Sequence, residues 1–172
     1  ARGVNGANDE FIELYNPTEY AVSLEDWRIS GGIDYLFPAG VMIMSKGFVV
    51  IGEEPSHLRA KYGITALGPY DGGLSSSGEE IILTDNRARE IDEIEYEYGF
   101  PWPMPDGDPD RTYQLIHPSL DNALGGNWRS NVATPGALNN TVIFNPPPTF
   151  LSVSHSPAQP KGGETVTVEA GL

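Results

Sequence analysis

From Phe11 onward the chain alternates short apolar stretches with polar punctuation. Phe11-Ile12-Glu13-Leu14-Tyr15-Asn16 mixes apolar and polar positions ahead of Asn16-Pro17-Thr18, which predicts a strand closed by a turn. Further short runs at 26–30, 33–37, 41–44 and 47–52 are parted by Gly31-Gly32, Pro38-Ala39-Gly40 and Ser45-Lys46-Gly47. A strand about every 7–12 residues is the rhythm of a β-sandwich or barrel. At 55–62 the pattern changes. Pro55 suits the first turn of a helix, Leu58 and Tyr62 fall on one face, and Gly63 follows as a stop, so one helix of barely two turns is predicted. Residues 80–84 and 89–98 read as a hairpin joined across Asp85-Asn86-Arg87-Ala88, and the irregular phase between Ile91 and Ile94 predicts a bulge. Residues 99–111 are Pro-, Gly- and Asp-rich loop, 112–116 returns to a strand pattern, and the chain then reads mostly as loop until Trp128.

Composition agrees with this rhythm. Gly (20) and Pro (15) together supply 35 of 172 residues, a density that suits tight turns and argues against long helices. Hydrophobic residues make up 39% and charged residues 20%, with no run of ~18 apolar positions, so no membrane-inserted segment is expected. The length allows one ordinary domain with a remainder. That remainder begins at 139–149, where Pro146-Pro147-Pro148 predicts an extended linker. Residues 150–172 then restart an alternating pattern, Phe150-Leu151-Ser152-Val153-Ser154 and Glu164-Thr165-Val166-Thr167-Val168-Glu169. These two segments resemble the first two strands of an immunoglobulin-like domain, and they are expected to be the truncated start of such a domain, second to the one before the linker. The first residue is not Met and no charged-then-apolar leader is present, which suggests a fragment of a longer protein.

Charge and residue content exclude several chemistries. A net charge of −14 repels polyanions, so no nucleic-acid partner is expected. Without cysteine there is no disulfide, thiolate metal site or thiol nucleophile. Ser75-Ser76-Ser77-Gly78 lacks the Gly-x-Ser-x-Gly elbow of a serine hydrolase and reads as a turn. His57, His117 and His155 are scattered without a partner at diagnostic spacing. Glu93, Glu95 and Glu97 alternate along one predicted strand, as a solvated face that discourages edge-to-edge aggregation does. No catalytic residue is assigned.

Two places invite a ligand. In Asp106-Gly107-Asp108-Pro109-Asp110, oxygen donors at alternate positions are what a hard cation such as calcium requires. The EF-hand pattern itself fails, with Arg111 at its sixth position and His117 at its twelfth. A simpler calcium loop at Asp106, Asp108 and Asp110 stands beside the blander reading, a turn whose side chains cap backbone groups. Trp102, in the loop Gly99-Phe100-Pro101-Trp102-Pro103, is the candidate ligand-binding aromatic, because an exposed indole offers a stacking face to carbohydrate.

The order of the motifs resembles the lamin tail domain, in its bacterial extracellular form. Asp9-Glu10-Phe11-Ile12-Glu13-Leu14-Tyr15-Asn16-Pro17-Thr18 resembles that family's opening strand and turn, and Leu24-Glu25-Asp26-Trp27-Arg28-Ile29 its Leu-x-x-Trp-x-Ile strand. Phe37-Pro38, Gly47-Phe48-Val49-Val50-Ile51 and the stretch Leu74 to Leu83 resemble later strands, followed by Phe100-Pro101-Trp102-Pro103 and Thr134-Pro135-Gly136. The resemblance implies an all-β, immunoglobulin-like β-sandwich over 1–138 with at most one short helix. It implies a loop at Trp102 that folds over a sheet edge. It also implies a non-catalytic interaction module of a secreted or cell-surface multidomain protein, in contact with other domains of its own chain or with cell-surface proteins. A calcium-dependent or carbohydrate-binding module is the alternative. Pro109 departs from the family's usual Asp-Gly-x-Gly run, which detaches this loop from any role it has in relatives.

Overall fold

A computed structural model describes residues 9–104, 108, 110–146 and 152–171 of the chain. Its elements are almost all strands: β1 (Phe11–Tyr15), β2 (Val22–Ser23), β3 (Arg28–Gly31), β4 (Ile33–Leu36), β5 (Met42–Ile43), β6 (Phe48–Gly52), α1 (Pro55–Tyr62), β7 (Asp71–Gly72), β8 (Gly78–Thr84), β9 (Glu90–Glu97), β10 (Arg111–Leu115), β11 (Trp128–Val132), β12 (Ser152–Ser156) and β13 (Thr167–Gly171). A single turn of 3-10 helix at Gly125–Asn127 leads into β11.

The largest sheet has the order β7-β4-β3-β8-β9, while β1 pairs with β6 and β2 with β5. All these pairings are antiparallel. The five-stranded sheet contributes Ile29, Ile33 and Ile81 to one buried cluster, and the β1–β6 and β2–β5 pairs cover it with Ile51 and Ile43. Leu24, Phe37 and Tyr70, from the connecting segments, complete that cluster. This is the arrangement of two packed layers that the strand rhythm allows and the all-β, immunoglobulin-like fold that the family resemblance implies. Each fully buried aliphatic side chain in it stabilises the fold by ~1.5–3 kcal/mol.

Local chemistry explains where the chain turns. Asn16 is buried and closes the first turn from both ends. Its Oδ1 accepts the Thr18 N–H at 3.0 Å and the Thr18 hydroxyl at 2.7 Å, while Nδ2 donates to the carbonyls of Tyr20 at 2.7 Å, Met44 at 3.1 Å and Ile43 at 3.3 Å. Helix α1 occupies the predicted span, buries Leu58 against Gly52, and ends at Gly63. There φ is 72°, and the Gly63 N–H caps the Arg59 carbonyl at 3.0 Å. Asp85 holds the β8–β9 hairpin by accepting the N–H groups of Arg87 (2.8 Å) and Arg89 (2.9 Å) on one oxygen and the Arg89 guanidinium on the other. The bulge falls at Ile91: Leu83 faces Asp92 and Thr84 faces Glu90, which leaves Ile91 without a partner across the ladder.

β10 and β11 form a separate hairpin, tied to the sandwich by named contacts. Tyr113 meets Tyr96 of β9 edge-on at 6.2 Å, and Asn122 donates to Asp92 at 2.8 Å. Residues 139–143, the head of the predicted linker, bind back to this hairpin: Asn139 Nδ2 donates to the Leu115 carbonyl at 3.1 Å, and the Ile143 N–H to the Ile116 carbonyl at 2.9 Å. β12 and β13 pair with each other, and almost all of their residues are exposed.

Candidate functional site

β9 is the end strand of the five-stranded sheet, with β8 its partner on one side. Period-2 alternation sends Ile94 and Tyr96 toward the core and leaves Glu93, Glu95 and Glu97 in solvent. The loop after β9 folds across this acidic face, as does the loop ahead of β11. Together they enclose an open groove of about 600 Å³ between Glu93, Glu95 and Glu97 on one wall and Pro101, Trp102 and Leu124 on the other.

Trp102 does not present an open indole. It is only 5% exposed, stacked on Tyr113 with ring centroids 6.3 Å apart and tilted against Trp128 at 5.9 Å. The flat faces that would meet a sugar are largely occupied by these rings, so the exposed platform expected from the loop's composition is absent at this residue. What the groove sees is part of a buried aromatic stack that continues through Tyr113 to Tyr96. Gly125 makes that packing possible, since a Cβ there would stand 2.9 Å from three indole atoms of Trp102. The solvent-facing apolar surface lies beside it. Phe100 is 95% exposed, and Tyr98, Met104 and Leu124 are each more than half exposed.

Asp108 and Asp110 each stand beside a different cationic side chain. The Asp110 carboxylate meets Lys61 Nζ at 2.6 Å, and Lys61 reaches Asp9 as well, at 3.0 Å. Burial pulls the Lys61 pKa down, but hydrogen bonds to Asp110 and Asp9 outweigh it and the net shift is upward. Asp108 stands 3.6 Å from the Arg111 guanidinium and also accepts the Asp110 N–H at 3.0 Å. Asp106 lies outside the described residues. Among the described residues no three His, Asp or Glu side chains gather as a cation cage would need.

A second hollow, of about 440 Å³, opens beside Glu10, Glu53 and the 72–76 turn. Glu10 is 3% exposed and accepts the Leu74 N–H at 2.9 Å, fastening the start of β1 to the turn before β8. Glu79 fastens the same turn from the other side, accepting the Ser75 N–H at 2.6 Å and the Tyr96 hydroxyl at 2.7 Å. Burial first, then the charges of Glu10 and Glu53, push the Tyr70 phenol well above its ordinary pKa. Ser75 and Ser77 bond to each other within the turn. Glu10 escaped the sequence reading because an acidic residue at the head of a strand is ordinarily solvated. Its burial comes from long-range packing that no local pattern records.

Histidines are equally dispersed: His57 is exposed on α1, His117 bonds to Ser119 in the β10–β11 connection, and His155 lies on β12. The groove thus brings together on one concave surface residues singled out in the sequence, Trp102 and the Glu93, Glu95 and Glu97 row.

No curated protein matches the chain. The family profile described as Lamin Tail Domain matches residues 2–98, which takes in β1 through β9. With more than half of its length matched and the immunoglobulin-like layers in place, the protein belongs to the lamin tail domain family, an immunoglobulin-like domain of protein interaction.

Proposed function

We propose that the chain is a non-catalytic interaction module of a larger secreted or cell-surface multidomain protein, holding other domains of its own chain or proteins on a cell surface in place. The observation that carries this reading is the set of exposed large apolar side chains, Leu124 in the groove along β9 and Tyr98, Phe100 and Met104 in the loop that supplies its Pro101 and Trp102 wall. Large apolar side chains gathered beside a concavity mark contact surfaces more often than chance exposure does. The exposed β12–β13 hairpin, which follows the proline run, supports a place in a series of modules. The acidic field turns duplex DNA away, so contact with protein is the expected use of the surface.

The test is a panel of extended peptides of varied charge, screened against the 1–172 chain and its Phe100→Ser/Leu124→Ser variant. Peptide binding that disappears in the variant, with the melting temperature held, supports the reading. Binding that is equal in both proteins, or absent for every peptide, overturns it.

A further inference from the structure

We infer that the β9 groove takes a lysine- or arginine-bearing extended segment of a partner protein, with basic side chains at alternate positions. This rests on the interaction reading above and names the partner's chemistry.

Three features converge on it. Glu93, Glu95 and Glu97 repeat along the strand with a period of two, which sets their carboxylates ~7 Å apart. An extended peptide repeats its own side chains at the same interval, so cations at every second position meet the row in register. Several exposed carboxylates elsewhere are neutralised within the chain: Asp34 by Arg28, Glu19 by Lys46 and Asp110 by Lys61. None of the ion pairs among the described residues includes Glu93, Glu95 or Glu97.

The opposite wall supplies what a long basic side chain needs below its charge. Pro101, Leu124 and the exposed margin of Trp102 offer an apolar surface for the methylene stem. The strand itself is the third feature. β9 ends its sheet, and among the described residues no further strand pairs with its outer edge, where the Glu93 N–H meets only the Asp92 carboxylate, so an extended partner has backbone to address. The same acidic row that would repel a second copy of β9 favours a strand of opposite charge, which separates self-association from recognition.

The experiment uses the 1–172 chain and two synthetic peptides of identical composition, one alternating arginine with serine and one with its arginines in a block. Binding is read by tryptophan fluorescence at about 0.15 M salt, where fields beyond ~8 Å are screened. The alternating peptide is expected to bind at least tenfold more tightly than the block. Glu93→Gln/Glu95→Gln/Glu97→Gln should weaken it about tenfold or more. An equal charge change elsewhere, Glu25→Gln/Asp71→Asn/Glu169→Gln, should change affinity less than about twofold. Equal losses in the two triple variants would reduce the effect to bulk charge and overturn the proposal, as would equal affinity for the two peptides or no binding at this salt. A neutral or acidic peptide that binds through Phe100 and Leu124 while the basic one does not would also overturn it, yet would leave the interaction reading standing.

Discussion

The carboxylate of Glu13, in the middle of β1, accepts the backbone N–H of Gly136, a residue 123 positions further along the chain. This bond joins the family's opening strand to the Thr134-Pro135-Gly136 turn. It therefore binds the stretch after residue 98 to the layers that the family profile covers. Glu13 is more than half withdrawn from solvent, and that burial raises its pKa from 4.5 to about 7, partly offset by the Gly136 N–H.

A pH dependence follows. A carboxyl whose folded-state pKa lies above its unfolded value favours folding in its protonated form. Its contribution is fully present below about pH 4.5 and is lost as pH rises through about 7. The shift corresponds to ~3 kcal/mol at most. In Glu13→Gln the side chain is neutral at every pH and still offers a carbonyl to Gly136. Urea denaturation from about pH 5 to pH 8 should show the variant gaining stability relative to the parent as pH rises. Parallel curves would show that the Glu13 carboxylate is solvated.

Asn16 gives a sharper structural test, because its two ends do different things. Replacing it with Asp keeps the acceptor for Thr18 but turns a negative oxygen toward the carbonyls of Tyr20, Ile43 and Met44. Asn16→Asp should cost about 2–4 kcal/mol and Asn16→Ala about 1–3 kcal/mol, since both leave buried polar groups without a donor. Thr18→Ala should cost less than either, its own bonds being partly exposed. If Asn16→Asp proves the milder of the two Asn16 changes in thermal melts, the Nδ2 bonds are not what holds this turn.

The turn at Asn16-Pro17-Thr18 was legible from three adjacent letters, and helix α1 from Pro55, Leu58 and Gly63, because the Asn16–Thr18 bonds and the helix ends are local, whereas the Asn16 bonds to Ile43 and Met44 left no mark in the local pattern. The bulge at Ile91 was legible for a related reason: a broken alternation in one strand forces the ladder to skip. β2 and β7, of two residues each, were not, since their pairing depends on where β5 and β4 happen to lie. β11 reads Trp-Arg-Ser-Asn-Val and has too little apolar content to announce itself; the ladder to β10 defines it. Trp102 shows the limit for sites. Its prolines and glycine mark a loop correctly, but only the approach of Tyr113, Gly125 and Trp128 decides that the indole is buried.

Calcium is expected to leave the protein unchanged. Asp110 already faces Lys61 and Asp108 faces Arg111, so a cation would have to displace partners that stand in place. Millimolar calcium should shift the melting temperature by less than about 1 °C, and Asp110→Asn should cost ~0.5 kcal/mol, as partly exposed ion pairs do. A calcium-dependent rise in melting temperature that chelator reverses and Asp108→Asn abolishes would restore the calcium loop.

The aromatic stack under the groove should prove a second centre of stability. Trp102 is 5% exposed, whereas Trp27 is only half-buried against the main core. Trp102→Ala should therefore cost ~3–5 kcal/mol, the upper range for a large ring lost from a packed site, and Trp27→Ala distinctly less. Gly125→Ala probes the same packing from outside. Its new methyl would stand 2.9 Å from the indole, so the ring must move or the 3-10 turn must open. A loss of ~1–3 kcal/mol is expected, with a change in tryptophan fluorescence as the ring shifts. Because Trp102 also lines the groove, both variants should weaken any ligand bound there, while Phe37→Ala, in the other cluster, should lower stability by ~3–5 kcal/mol without altering the affinity of protein that remains folded. If Gly125→Ala leaves both stability and fluorescence as they were, the loop ahead of β11 does not rest on Trp102, and the groove wall is a looser structure than its contacts indicate.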